Sequence, residues 1–119
     1  MRRILLRGKI HRATVTESNL DYEGSLGLDG LLMKAADMIP FEKVHVFNVT
    51  NGQRFSTYII KAKEGSGTIA IYGAAAHLAA VGDKVIIVSY AFLEDEETDY
   101  FMPKVVIVDD DNRIKEIKK

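Results

Sequence analysis

Val44-His45-Val46-Phe47-Asn48-Val49-Thr50-Asn51-Gly52-Gln53-Arg54-Phe55-Ser56-Thr57-Tyr58-Ile59-Ile60 is the stretch from which the fold is read. Two runs rich in β-branched and aromatic residues flank an Asn-Gly pair, which enters a tight turn at little steric cost. The stretch therefore predicts an antiparallel hairpin reversing at Asn51-Gly52. Upstream, residues 3–17 interleave Ile4, Leu6, Ile10, Ala13 and Val15 with Arg, Lys and Thr. This is an extended pattern of period two that slips near Gly8, where a β-bulge accounts for the slip. Downstream, residues 68–72, 85–90 and 105–108 are apolar runs of strand length. Their unbroken hydrophobicity predicts burial on both faces or at a subunit interface. Residues 29–38 read as the clearest helix, two to three turns long, with Asp29 as N-cap, apolar residues at 31, 32, 35 and 36, and Pro40 closing it. Gly73-Ala74-Ala75-Ala76 is a second, tight helix start. Many short strands with little helix predict a mainly β, compact barrel. The charge-rich tail, residues 109–119, is predicted to be solvated or frayed, with Ile114 and Ile117 offering no more than a short docked helix.

The 119 residues suffice for one hydrophobic core, so the chain is expected to be a single domain, 1–119. A net charge of −1 gives no basic surplus for nucleic acid. There is no cysteine, which excludes thiol catalysis and disulfides and suits a reducing compartment. The apolar run after Arg2-Arg3 is three residues long before Arg7 interrupts it, too short for a signal peptide or a membrane span, so a cytoplasmic protein without membrane contact is expected. His45 and His77 have no metal-binding spacing, and no metal is expected.

Chemistry is suggested by Asp21-Tyr22-Glu23-Gly24-Ser25. A serine hydroxyl beside an unhindered glycine carbonyl can attack it when the turn is strained, converting amide to ester. As an isolated pair Gly-Ser is a common turn dipeptide. A hydrolase reading of Ser25 fails because the local sequence, Glu23-Gly24-Ser25-Leu26-Gly27, lacks the glycine two residues before serine that a nucleophile elbow requires. The company of the pair carries more weight: Gly8-Lys9-Ile10-His11-Arg12 before it, the hairpin stretch from Asn48 to Tyr58 after it, then Gly73-Ala74-Ala75-Ala76-His77. In this order and at these spacings the chain resembles the pyruvoyl-dependent aspartate 1-decarboxylases, over most of residues 4–93.

The resemblance implies a double-psi β-barrel assembled as a homotetramer, and self-cleavage between Gly24 and Ser25 into a β chain, 1–24, and an α chain, 25–119. Ester formation, β-elimination and release of ammonia would leave a pyruvoyl group at position 25 as the covalent cofactor. Its carbonyl would form a Schiff base with L-aspartate and act as electron sink when carbon dioxide leaves, giving β-alanine for pantothenate biosynthesis. The resemblance further implies Ser25 and Tyr58 as catalytic residues, Tyr58 returning a proton. Arg54 and Lys9 would hold substrate, with Gly73, Ala74 and Ala75 lining the pocket. Gly24, Ser25, Thr57, His11 and Tyr22 would serve processing, Thr57 as the oxyanion-stabilising residue. In an ideal strand Thr57 and Tyr58 point to opposite faces, a tension that a bulge or a strand end would relieve. Where many members have asparagine before the Gly-Ala-Ala segment, this chain has Tyr72. A phenol cannot reproduce an amide's paired donor and acceptor, so the departure bears on processing more than on substrate chemistry. Whether a maturation partner is needed does not follow from the residues. Competing readings are a non-catalytic double-psi barrel with an inert Gly-Ser turn, and a pyruvoyl enzyme acting on another amino acid.

Overall fold

Strand β1, Arg2–Thr14, runs antiparallel to the long β7, Lys84–Glu94, and parallel to β8, Lys104–Val108, so it sits between the two. The computed structural model describes residues 1–118. The other elements, in chain order, are β2 (Glu17–Asn19), β3 (Ser25–Asp29), helix α1 (Gly30–Ala35), β4 (Lys43–Asn48), β5 (Arg54–Ala62), β6 (Ile69–Tyr72) and β9 (Ile114–Lys118). Short 3-10 helices at Gly73–Leu78 and Asp95–Tyr100 flank β7. The nine strands form one mixed sheet in the order β2-β6-β3-β5-β4-β7-β1-β8-β9. The architecture is mainly β, and this open order is compatible with a double-psi barrel.

The predicted hairpin is β4 and β5, with Phe47 opposite Arg54 and Gly52 at φ 79°. The slip near Gly8 is a register shift in the β1–β7 ladder, where Leu6 and Gly8 oppose the consecutive residues Tyr90 and Ser89. The extra residue reverses side-chain parity, so Ile4, Leu6 and Lys9 all point away from the core while Ile10 and Ala13 enter it. Glycine is required at position 8 because a Cβ there would lie 2.0 Å from the Ala36 carbonyl oxygen. The strand thus passes directly beneath the end of α1. A second shift lies between Ile10 and Ala13, with Arg12 in the left-handed region at φ 62°. The sequence pattern did not mark it.

Two expectations are corrected. Helix α1 is six residues long, shorter than two turns, and Pro40 does not end it. Its end is a Schellman turn: Met38 N–H donates to Met33 O, Asp37 N–H to Lys34 O, and Asp37 takes the left-handed conformation at φ 59° that glycine usually fills. Residues 114–118 are exposed, as expected of a solvated tail, but they are neither frayed nor helical, because they pair with β8 as strand β9, and Lys119 lies outside the described residues. Asn112 fixes the β8–β9 turn, donating to Thr14 O and Gly67 O and accepting from Thr14 N–H. The core gathers Ile10, Leu26, Leu28, Val44, Val46 and Ile59, among others, on the inner face of the sheet, each worth about 1.5–3 kcal/mol in burial. Among the described residues no helix is long and apolar enough to cross a membrane.

Candidate active site

Ser25 opens β3, and its side chain is 1% exposed. Its backbone is opposite Tyr72 in the antiparallel ladder with β6, so the two side chains share a face. On the other edge β3 runs parallel to β5 from the Leu26–Ile59 pair onward. Continuing that register by one residue sets Ser25 alongside Tyr58. Ser25, Gly27, Ala70, Tyr72 and Tyr58 consequently lie on one face, opposite to core-facing Leu26, Leu28, Ile59 and Ile71. The Ser25 hydroxyl donates to Glu23 O at 3.2 Å, the one hydrogen bond that holds it.

The bond before Ser25 is seated on backbone. Gly73 follows β6 with φ 77°, and a Cβ there would fall 2.6 Å from both Gly24 N and Gly24 Cα and 3.1 Å from Tyr22 O. Only glycine permits that approach. The 3-10 helix from Gly73 then carries Ala74 and Ala75 away from the same point. Tyr22 meets Tyr72 edge to face, with centroids 5.3 Å apart. Tyr72 in turn donates its phenol to Glu17 Oε1 at 3.2 Å. Burial, followed by the Glu17 charge, raises the Tyr72 pKa above its ordinary value and keeps the phenol a donor.

Strand β5 carries further candidate residues on the same face, with Arg54 four residues, or about 13 Å, along the strand from Tyr58. Arg54, Ser56 and Tyr58 share the outer face, while Thr57, opposite core-facing Val44, lies on the inner one. Strand β5 gains β3 as its second neighbour only from Ile59, so Thr57 and Tyr58 flank the point where the ladder changes. The Arg54 guanidinium stands 4.2 Å over the Phe47 ring and, among the described residues, forms no ion pair. A guanidinium over an aromatic ring keeps its donors available, and the group is chemically able to take a carboxylate.

Two residues do not join this group within one chain. Lys9 pairs with Val88 on β7 and Val105 on β8, four strand spacings from β3, or roughly 19 Å along the sheet. His11 lies opposite Ile107 and lines a cavity of about 310 Å³ with Arg12, Lys84, Asp110 and Lys115. Its Nδ1 is buried without a hydrogen-bond partner among the described residues. Burial first, then Lys9, Arg12 and Lys118, lowers its pKa. Lys9 nonetheless shares the outer face with the β5 candidates, in the row Ser56, His45, Val88, Lys9.

Sequence reasoning missed Glu17 and Phe47. Phe47 was within reach, because the hairpin register places it opposite Arg54. Glu17 was not, since it approaches Tyr72 through the parallel β2–β6 pairing, a long-range contact that no local spacing announces.

Comparison with known proteins extends the match beyond residue 94, where the recognisable motifs end. The family model described as aspartate decarboxylase matches residues 1–115. Aspartate 1-decarboxylase of Ralstonia nicotianae is 58% identical over 118 residues, covering 99% of this chain and 98% of the relative. Those of Cupriavidus necator and Bordetella avium are 56% and 57% identical over 119 residues, covering all of this chain and 99% and 98% of the relatives.

Proposed function

The chain belongs to the aspartate decarboxylase family, and from that premise we propose that it converts L-aspartate to β-alanine and carbon dioxide through a pyruvoyl group made from its own Ser25. The decarboxylase activity follows from the family, whose product supplies pantothenate biosynthesis. The pyruvoyl group, the cleavage and the residue roles are the proposal.

One observation carries the processing step: a buried serine hydroxyl beside a glycine whose N and Cα are pressed against the backbone of Gly73. Ser25 Oγ attacks the Gly24 carbonyl carbon and the Gly24–Ser25 amide bond gives way to an ester. Elimination then breaks the Ser25 Cβ–Oγ bond, leaving Gly24 as a free carboxylate, and water displaces the nitrogen at position 25 as ammonia. The residues present fit the product, since a pyruvoyl group is smaller than the serine already accommodated there. When formed, the group supplies an electron sink for loss of the α-carboxylate.

The chain's own residues do the rest. Tyr58, beside position 25 in the β3–β5 register, donates a proton to the carbon that carbon dioxide leaves. Arg54, stacked on Phe47, grips the side-chain carboxylate, which survives into the product. Gly73, Ala74 and Ala75 allow the substrate close to the backbone. Lys9 and His11 reach a site from a neighbouring copy, which requires an oligomer, and we take it to be the homotetramer that the family resemblance implies. Its support is the outer face of β1, β4 and β7, where exposed Ile4, Tyr90 and Phe92 with Lys43 and His45 line an apolar groove of about 300 Å³.

Denaturing mass spectrometry of purified protein tests the reading. Two chains are expected, 1–24 and 25–119, the larger lighter by about 17 Da than a fragment beginning with free serine. Ser25→Ala should lose cleavage and activity together, whereas Tyr58→Phe should cleave and decarboxylate poorly. Activity in uncleaved Ser25→Ala would defeat the mechanism.

A further inference from the structure

We infer that Tyr72, pinned by Glu17, is a positioning residue that clamps the segment Tyr22–Gly24 for self-cleavage. The inference rests on the reading that Ser25 attacks Gly24.

Four contacts fix the clamp. The Tyr72 side chain leaves β6 on the face of Ser25 and leans back along the strand over Gly27, where a Cβ would meet its ring at 3.2 Å. Gly27 therefore leaves room for the ring that a Cβ would crowd. The phenol ends at Glu17, which lies on β2 beside Ala70, one row back along the same face. Packing and a hydrogen bond thus hold both ends of the ring. Against this fixed ring Tyr22 sets its own, 5.3 Å away at 75°. The chain emerging from Tyr22 is then confined from the other side, because Gly73 meets Tyr22 O and the N and Cα of Gly24. Tyr72 and Gly73 are adjacent in sequence, so a single strand end supplies both jaws.

The consequence is kinetic. Attack by Ser25 Oγ requires the Gly24 carbonyl in one orientation, and holding reacting atoms in place lowers the barrier without new chemistry. Tyr22 is 58% exposed, so its contact with the Tyr72 ring is a large part of what packs against it. The ring of Tyr72 performs by stacking, and by its tether to Glu17, a restraint that needs no amide. Once the bond is cut the tether between Tyr72 and Glu17 has no further segment to hold.

The experiment measures the first-order appearance of the 25–119 fragment from freshly purified precursor, by denaturing mass spectrometry. Tyr72→Leu and Tyr22→Leu should each slow it by about tenfold, and the double variant should be no slower than either alone, because the two remove one contact. Tyr72→Phe keeps the ring and loses the tether, so it should slow cleavage about threefold. Glu17→Leu should match it, while Glu17→Gln, which still accepts the phenol, should cleave like the parent. Matured Glu17→Leu should keep parental kcat and KM. If the parent cleaves and Tyr72→Phe and Glu17→Leu, both folded, cleave at its rate, the clamp is wrong while self-processing stands. Additive slowing in the double variant would also overturn it. A parent that never cleaves would remove both readings.

Discussion

The backbone of Gly73 lies against that of Gly24, so closely that a Cβ on Gly73 would fall 2.6 Å from Gly24 Cα. Gly73 also holds φ 77°, a conformation that costs a side-chain-bearing residue about 1–3 kcal/mol. Gly73→Ala must therefore accept that strain and displace the residue before Ser25. The expected result is a lowered urea midpoint together with slowed or absent cleavage, read by denaturing mass spectrometry on the same sample. A variant with parental midpoint and parental cleavage would show that Gly24 is not positioned by this contact.

Asp29 joins the site strand to helix α1. Its carboxylate is 2% exposed and accepts from Leu31 N–H and Gly65 N–H through Oδ1 and from Gly67 N–H through Oδ2. Asp29→Ala would leave three amide donors without their acceptor and should cost roughly 3 kcal/mol or more. Asp29→Asn keeps the oxygen serving Leu31 and Gly65, and should cost about half as much. Chemical denaturation of the two variants checks the ratio. Equal losses would mean that the bonds to Leu31 and Gly65 contribute nothing, and no loss in Asp29→Asn would mean the same of Gly67.

The hairpin, the bulge near Gly8 and the Asp29 cap were legible because each is a local agreement between residue type and backbone: an Asn-Gly reversal, a parity slip, a carboxylate before an apolar run. The pairing of residues 114–118 was not, because it is set by the edge of β8, whereas the tail's own composition announces only the exposure it has. The helix end was misread for a similar reason. Asp37 adopts a left-handed cap without glycine, so Pro40 looked like the stop. Of the candidate site, the family resemblance implied that Ser25, Tyr58, Gly73 and Tyr22 belong together. It gave no hint that Lys9 lies four strands away, since strand order is fixed by crossovers between distant segments.

Stability should carry a trace of His11. Burial, aided by Lys9, Arg12 and Lys118, lowers its pKa from the ordinary 6.5. The unfolded chain therefore takes up this proton at higher pH than the folded one does. The contribution is fully present above pH 6.5 and is lost as pH falls through that value toward the lowered folded pKa. His11→Gln should flatten this part of the profile of unfolding free energy against pH. An unchanged slope below pH 6.5 in the variant would assign the titration to another group.

On the proposed reading, substrate choice turns on Arg54. The α-carboxylate must leave as carbon dioxide, and a strong grip on it would stabilise the ground state and slow the reaction. The side-chain carboxylate persists into β-alanine and can be held throughout. Arg54 suits that task, because its fork is bidentate and the Phe47 ring 4.2 Å beneath it fixes the plane of the guanidinium. Arg54→Lys keeps the charge, loses the fork and loses most of the stacking. Affinity for aspartate should fall by roughly one to two powers of ten, the loss of a charge-assisted hydrogen bond of about 1.5–3 kcal/mol. Phe47→Leu, which removes the ring and leaves the fork, should cost less, about threefold to tenfold in KM. Cleavage should proceed in both, since neither residue touches the Gly24–Ser25 segment. Steady-state assays of β-alanine formation on fully cleaved protein decide the matter: parental aspartate kinetics in Arg54→Lys would remove Arg54 from the site.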